Sequence, residues 1–285
     1  MIIIQAELPR NHELVLFGDN QRGNVLSHDE GYQECIEYVL TKPSRFACHM
    51  GDAIESIWID DPRYQLDAIK HTPLEAIEAE IKALEPLIKR QQLLTMLFGN
   101  HEFALLKRCG NITEHICQRL RNSNTFPVYG TYSCRLEIYD PDSNLQYKTY
   151  LTHGRKFIGS IADDPIRRHS NMLLQLKNHL KRKAGDCLIM GKGHSHRLLI
   201  SEPVPELYLT SHKSRIKQNY SKPDSRADYI PDSNRWYLCC GSFLKHQGIG
   251  FSSYSEMFEM DPVELGYIVI HVKNGQVERV EKKII

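Results

Sequence analysis

The sequence predicts an α/β fold in which a mixed β-sandwich is flanked by helices. Short apolar runs alternate with amphipathic helical stretches along most of the chain. From residue 236 onward the segments are rich in β-forming residues, which favours additional strands over further helix–strand units. With 285 residues, of which 41% are hydrophobic and 25% charged, the chain is typical of a globular protein with a sizeable core. No internal repeat or linker-like segment appears, which predicts one domain over residues 1–285.

The elements of the first half follow from the spacing of apolar residues. Residues 14–18 and 45–50 are predicted to be buried strands, and each ends at a glycine followed by an aspartate. Residues 29–41 place their apolar side chains on one helical face. Pro73 marks the start of a second helix. Residues 93–98 then predict a third apolar strand.

The second half begins in the same way and then becomes richer in strands. Two strands are predicted over residues 132–152, joined by a turn-rich DPDSN segment, and a long helix follows. Residues 186–190 predict another strand. The final segments include an Asn274-Gly275 pair, which is a strong hairpin signal. The polar stretch over residues 211–235 predicts a loop or insertion.

Charge and cysteine content exclude several classes of protein. The formal net charge of +1 favours neither nucleic acid nor a membrane surface as a general partner. The eight cysteines form no CxxC pair, which argues against a zinc ribbon and a disulfide scaffold. The first residues lack the basic region and long apolar stretch of a signal peptide. A reducing cytoplasm is therefore the expected location, without membrane association.

Five short polar sequences each follow an apolar strand directly. They are Gly18-Asp19-Asn20-Gln21, Gly51-Asp52, Gly99-Asn100-His101-Glu102, His153-Gly154 and Gly193-His194-Ser195-His196. Because ligands of α/β sheets bind outside the carboxyl ends of the strands, we expect these residues to converge on one edge. The glycines allow sharp turns and a close approach to a ligand.

The residue types in these sequences are ligands for divalent first-row metals. They include two carboxylates, one carboxamide and several imidazoles, and two such metals roughly 3.5–4 Å apart clamp the attacking and leaving oxygens of an in-line displacement. No P-loop or nucleophile elbow suggests another chemistry. The predicted metal ligands are Asp19, Asp52, Asn100, His153, His194 and His196.

The ordered series GDxx, GD, GNHE, H and GHSH resembles the calcineurin-like metallophosphoesterase superfamily, over roughly Leu14 to Val280. The resemblance implies a four-layer α/β/β/α fold and a metal-dependent phosphoesterase. The closing segments GSFL and LGYIVI also resemble phosphoesterases common in phage and prophage sequences.

The resemblance implies a role for each matching residue. Asp52 would bridge two metals, and His101 would protonate the leaving oxygen or steady the transition state without binding metal. A metal-bridging hydroxide would attack phosphorus in line. The remaining ligands would divide into Asp19 and His196 on the first metal, and Asn100, His153 and His194 on the second.

The first motif departs from the usual Asp-x-His, because Gln21 stands at the histidine position. A carboxamide oxygen is a harder and weaker ligand than imidazole, which favours Mn²⁺ or Mg²⁺ over Zn²⁺ or Fe at the first site. Two divalent ions are therefore expected as cofactors, with Mn²⁺ favoured. Whether Gln21 ligates a metal or leaves a gap stays open.

Three further features have two interpretations each. Arg22 follows the first motif and either contacts substrate phosphate through its guanidinium or is a surface arginine. His246 lies close after the GSFLK segment and is a candidate substrate-binding residue. The polar loop over residues 55–63, which includes Arg63, suits substrate recognition or internal ion pairing.

Two classes of function remain for the chain. The first is an enzyme that hydrolyses a phosphate ester, with a phosphodiester favoured and a DNA or RNA nuclease as an alternative. The second is a binding module built on a phosphoesterase scaffold whose first metal site has decayed at Gln21. Basic residues over 177–183 and 211–235 suit a nucleic-acid backbone or nucleotide partner, or simply solvated surface.

Overall fold

The computed structural model describes residues 1–61, 64–121, 124–250 and 252–285. It contains two six-stranded sheets and a separate two-stranded hairpin. The strands are β1 Ile2–Glu7, β2 His12–Phe17, β3 Arg45–His49, β4 Leu93–Met96, β5 Val128–Tyr129, β6 Ser133–Tyr139, β7 Leu145–Thr152, β8 Ile189–Lys192, β9 Leu198–Ser201, β10 Leu207–His212, β11 Arg215–Tyr220, β12 Trp236–Cys240, β13 Gly266–Lys273 and β14 Gln276–Ile284.

Six α-helices accompany the strands. They are α1 Asp29–Leu40, α2 Pro73–Lys89, α3 Asn100–Cys109, α4 Ile112–Arg121, α5 Pro165–Leu180 and α6 Tyr254–Met257. Helix α2 begins with a capping box, in which Thr72 and Glu75 satisfy each other's backbone groups, and it continues through Pro86. None of the described helices has the length and hydropathy that a bilayer crossing requires.

Both large sheets are mixed. The first has the order β14-β13-β2-β3-β4-β5, in which β2 to β5 run parallel to one another, β13 runs antiparallel to β2, and β14 runs antiparallel to β13. The second has the order β1-β6-β7-β8-β12-β9, in which β7, β8 and β12 run parallel. The hairpin signal at Asn274-Gly275 joins β13 to β14, with both residues in the left-handed region.

The predicted α/β fold with a mixed β-sandwich flanked by helices is confirmed, and it has four layers. Alternate side chains of β2 point to opposite faces: Leu14 and Leu16 lie in the core between the two sheets, whereas Val15 and Phe17 lie under α1 to α4. On the far side, Leu176 and Leu180 of α5 pack on the outer face of the second sheet. Burial of both sheet faces explains the apolar runs in the sequence.

The structure differs from the sequence prediction at the amino terminus and after the third motif. Residues 2–7 form an edge strand parallel to β6, in which Ile4 and Ala6 alternate into the core. Residues 100–121 form α3 and α4, and no helix was predicted there from the sequence. Short amphipathic helices interrupted at Gly110 give a weak periodic signal.

The stretch over residues 211–235 was predicted to be a loop or insertion, and its first part belongs to a two-stranded hairpin. Residues 207–220 form a hairpin of β10 and β11, with Lys213 and Ser214 in the left-handed conformation of a tight turn. Arg226 Nε donates to the carbonyl of Leu145 at 3.2 Å, which places this region beside the start of β7.

Candidate metal centre

The five polar motifs meet at one end of the β-sandwich. Strands β2, β3 and β4 of the first sheet end just before Asp19, Asp52 and Asn100. Strands β7 and β8 of the second sheet end just before His153 and the 193–196 motif. Because these strands run parallel within each sheet, their carboxyl ends bring the motifs together as the sequence analysis expected.

One cluster contains Asp52, Asn100, His153 and His194. The ring nitrogen His153 Nε2 lies 3.2 Å from Asp52 Oδ2 and 3.0 Å from Asn100 Oδ1. Ligand atoms of Asp52, His153 and His194 all lie within 4.8 Å of one another, close enough to hold one metal ion. Two oxygens and two imidazoles are a suitable donor set for a divalent cation.

The second cluster contains Asp19, Gln21 and His196. His196 Nε2 lies 3.5 Å from Asp19 Oδ1, and the amide Nε2 of Gln21 lies 3.5 Å from His196 Nε2. Rotating the carboxamide by half a turn would present its oxygen at the same place. The structure therefore brings Gln21 beside the candidate ligands of the first metal, where this chain offers an oxygen donor in place of an imidazole.

Five of these residues have left-handed backbone conformations, which are uncommon for residues other than glycine. The φ angles are 52° for Asp19, 43° for Gln21, 50° for Asp52, 68° for His194 and 49° for His196. Such conformations cost free energy, and they concentrate at functional sites where the surrounding structure holds them in place. Four of the five, Gln21, Asp52, His194 and His196, line one cavity at the end of the sandwich.

Two glycines in the motifs are required by close packing. A Cβ atom on Gly51, whose φ is +99°, would lie 2.7 Å from His153 Nδ1. A Cβ atom on Gly99 would lie 2.0 Å from Asp52 Oδ1. Larger residues at either position would therefore push a candidate ligand out of place.

The orientation of His153 suits metal binding. Its Nδ1 lies 2.9 Å from the carbonyl of Met50, which can only accept a hydrogen bond, so Nδ1 donates to Met50 and Nε2 faces Asp52. Burial disfavours the cationic form of His153, but the charge of Asp52 outweighs this and raises the pKa of His153 to about 9. A metal cation among these groups would replace the proton on Nε2.

His101 is held differently from the ligands. Its Nδ1 donates to the carboxylate of Glu55 at 2.9 Å, and its Nε2 lies 3.4 Å from the amide of Gln21. Burial raises the pKa of Glu55, but the interaction with His101 outweighs it and leaves the pKa below its usual value. This arrangement directs Nε2 toward the candidate ligands. Glu55 of the polar loop over 55–63 thus pairs with a residue outside that loop. Arg63 lies outside the described residues.

Glu102, the last residue of the third motif, is fully buried and holds the backbone around Asp52 in place through hydrogen bonds. Its Oε1 accepts from the backbone N–H groups of Ala53 at 2.6 Å and Ile54 at 3.2 Å, and its Oε2 accepts from Gly99 at 3.0 Å. Burial and the charge of Asp52 raise the pKa of Glu102 to about 7. A bound cation would offset this repulsion.

Arg22 does not join the site. Its Nε donates to buried Glu80 at 2.7 Å and its Nη1 donates to Asp29 at 3.1 Å. Glu80 also accepts from Tyr32 and from Asn20. Because buried Glu80 requires a compensating cation, the guanidinium is used inside the protein and the structure does not offer it to a substrate phosphate.

The candidate ligands open into a cavity of about 240 Å³. His246 lines this cavity, and its ring centroid lies 6.0 Å from that of His196. Its role in substrate binding stays a prediction. Phe157 and Met260 also line the cavity. A cleft of about 990 Å³ lies at the other end of the strands, beside Arg226, and contains none of the candidate ligands.

Sequence analysis missed several residues that hold the ligands. Glu102 carried a detectable signal, because a glutamate three residues after a helix N-cap is typical of a capping box. The buried chain from His49 through Asn20 to Glu80 carried none, because its members come from separate elements. The hydroxyl of Ser242 donates to the carbonyl of Asp19 at 2.9 Å, and no sequence pattern predicted this contact either.

No family model matches this chain, and no curated protein is similar to it in sequence. Two solved structures are similar in arrangement over most of their length. A predicted phosphoesterase from Streptococcus pneumoniae TIGR4 has 11% identity and a TM-score of 0.32, covering 96% of this chain and 98% of its own. A dimetal phosphatase from Danio rerio has 10% identity and a TM-score of 0.40, covering 96% of each chain. At these values we infer function from this chain's own residues.

Proposed function

We propose that the protein is a metal-dependent phosphoesterase that hydrolyses a phosphate ester, with a phosphodiester favoured. The observation that carries the proposal is the convergence of Asp19, Asp52, Asn100, His153, His194 and His196 at one end of the sandwich. These side chains come from five loops far apart in sequence. Left-handed backbone conformations at four of the six further support a functional site.

Two divalent cations, with Mn²⁺ favoured, would neutralise the phosphoryl oxygens and supply the hydroxide nucleophile when bound. His153 Nε2 lies 3.2 Å from Asp52 Oδ2, and the backbone N–H of His101 donates to Asp52 Oδ1 at 2.9 Å. In this proposal Asp52 would be the residue that contacts both ions. Gln21 gives the first site an oxygen donor, consistent with the preference for Mn²⁺.

His101 is the candidate proton donor to the leaving oxygen. The hydrogen bond from Nδ1 to Glu55 fixes the ring, and Nε2 lies 3.4 Å from the amide of Gln21 at the cavity. In this proposal metal binding and proton transfer fall to different residues. The protein would need no nucleophilic side chain of its own.

Metal analysis and turnover test this proposal together. We expect the purified protein to bind close to two Mn²⁺ ions and to hydrolyse bis(p-nitrophenyl) phosphate faster than p-nitrophenyl phosphate. Asp52→Asn should lose bound metal and at least about a hundredfold in kcat/KM, because ligand geometry dominates such sites. Asp186→Asn, which changes a carboxylate at the other end of the sheet, is the matched control. Full metal occupancy without turnover of any ester would support the binding-module alternative instead.

A further inference from the structure

A second cavity of about 710 Å³ adjoins the metal pocket. The two share Phe157, His246 and Met260 as walls, so a ligand with its phosphate among the metal ligands can extend into the second space. His246 stands at the junction, where its Nδ1 donates to the carbonyl of Asp261 at 2.9 Å. The second cavity thus lies next to the candidate metal site and is continuous with the first cavity.

Phe157 presents a flat apolar surface at this junction. Its side chain is 60% exposed, although it lies next to a buried polar centre. The guanidinium carbon of Arg197 lies 5.8 Å from the ring centroid, which places a planar cation beside the aromatic ring. Aromatic rings and guanidinium planes of this kind are the surfaces on which nucleobases stack.

The polar groups around the ring include both donors and acceptors. Within the described residues, Arg197 Nε is buried and has no hydrogen-bond partner. Asn178 offers a carboxamide, and Glu259 and Asp261 line the same cavity with carboxylates. Two carboxylates against one guanidinium disfavour a second phosphate group, because like charges repel. A planar ring whose edge carries both N–H donors and oxygen or nitrogen acceptors satisfies all of these groups.

We propose that this second cavity is the base-binding subsite of a nucleotide-type phosphate ester, with the base stacked on Phe157. The inference rests on the proposed function, since it takes the metal centre as the site of the phosphate. The sugar would cross His246, and Arg197 and the two carboxylates would contact the edge of the base.

A pair of diesters with the same leaving group tests the subsite. Thymidine 5′-(p-nitrophenyl) phosphate and methyl p-nitrophenyl phosphate differ only in the nucleoside. We expect the Mn²⁺-loaded protein to prefer the thymidine ester by at least about tenfold in kcat/KM, in line with the strength of base stacking. Phe157→Ala should reduce this preference by about tenfold, and Phe157→Trp should retain it. Tyr229→Ala, an equally exposed aromatic residue far from the cavity, is the matched control.

Equal rates on the two esters, or an unchanged preference in Phe157→Ala, would overturn the subsite while leaving the phosphoesterase proposal intact. If neither ester is hydrolysed, the proposed function fails and binding still tests the cavity. Calorimetry should then show adenosine 5′-monophosphate binding at least about tenfold more tightly than ribose 5-phosphate, with the difference lost in Phe157→Ala. Equal affinities for the two ligands would overturn the inference.

Discussion

At the scale of single residues, Gln21 and Glu102 distinguish this site from a simple list of ligands. Gln21 occupies a place next to His196 where an imidazole would be a softer donor. Glu102 binds no metal in our proposal, yet its two oxygens fix the backbone on both sides of Asp52. In our proposal Gln21 would set the metal preference of the first site, and Glu102 would set the position of the ligand Asp52.

Gln21→His should change the metal preference of the first site. Replacing a carboxamide oxygen by an imidazole nitrogen favours Zn²⁺ and Fe over Mn²⁺. We expect the variant to bind Zn²⁺ more tightly, by about tenfold or more, as measured in competition with Mn²⁺ by elemental analysis. Gln21→Leu should lose the first ion. An unchanged Zn²⁺ affinity in the histidine variant would show that Gln21 does not face the metal.

Glu102→Gln should weaken metal binding and activity by about 10- to 100-fold, as expected for a group that orients a ligand. The amide would place an NH₂ group against at least one backbone N–H that now donates to the carboxylate, costing about 1–3 kcal/mol of stability. Calorimetric Mn²⁺ titration and urea unfolding measure the two effects. Glu85→Gln, on an exposed face of α2 where it pairs with Lys89, is the control and should change neither.

At the scale of elements, the two sheets are tied together by polar as well as apolar contacts. His12 of β2 is buried, and its Nε2 accepts from the hydroxyl of Tyr147 of β7 at 2.7 Å, because its Nδ1 donates to the carbonyl of Pro9. Burial is the largest effect on this ring, and the hydrogen bond to Pro9 offsets it only in part, so the pKa of His12 is lowered to about 4. The link between the sheets therefore depends on a neutral histidine.

Stability should fall as the pH is lowered from 6.5 to 4. The unfolded chain takes up a proton on His12 near its ordinary pKa of 6.5, whereas the folded chain does not until about 4. The loss attributable to His12 should be about 2 kcal/mol between pH 7 and pH 5. Urea unfolding at both values should show a smaller pH dependence in His12→Gln than in the native protein. His115→Gln, an exposed histidine, should keep the full dependence.

At the scale of the whole molecule, the candidate metal centre and the β10–β11 hairpin are attached at opposite ends of the strands. The candidate ligands follow the carboxyl ends of the parallel strands, whereas the residues just after the hairpin contact the starts of these strands. The eight residues of β7 alone span roughly 25 Å between these ends. No residue of the hairpin is among the described residues that line the cavity beside the candidate ligands.

Replacing residues 207–220 by a short Gly-Ser loop should leave the metal centre unaffected. The ends of the segment are already adjacent, since Ser221 N–H donates to the carbonyl of Glu206 at 2.9 Å. We expect unchanged Mn²⁺ content and unchanged kcat/KM on a small diester. The melting temperature should shift by only a few degrees, because a two-stranded hairpin adds little stability. A variant in which Lys213, Arg215 and Lys217 become glutamine should behave alike, and lost activity in both would place the hairpin in the site.

Much of the layout was determined by the sequence alone, because its signals are local. Strand β2, helix α2 and the Asn274-Gly275 turn follow from apolar spacing, capping and turn chemistry, and the polar residues after each strand marked the candidate ligands. Signals of this kind can be recognised in the sequence because each depends on only a few neighbouring residues. The narrower phage-type resemblance stays a prediction.

Only the tertiary structure decided how those residues are supported and which neighbours join them. In the structure Arg22 forms an ion pair with buried Glu80, His101 forms a hydrogen bond with Glu55, and Phe157 lines two adjoining cavities. These contacts join residues of separate elements, so no spacing in the chain encodes them. The candidate ligands could be predicted from the sequence because the carboxyl ends of parallel strands meet at one edge of a sheet. The partners of each side chain could not be predicted, because they depend on how the layers pack.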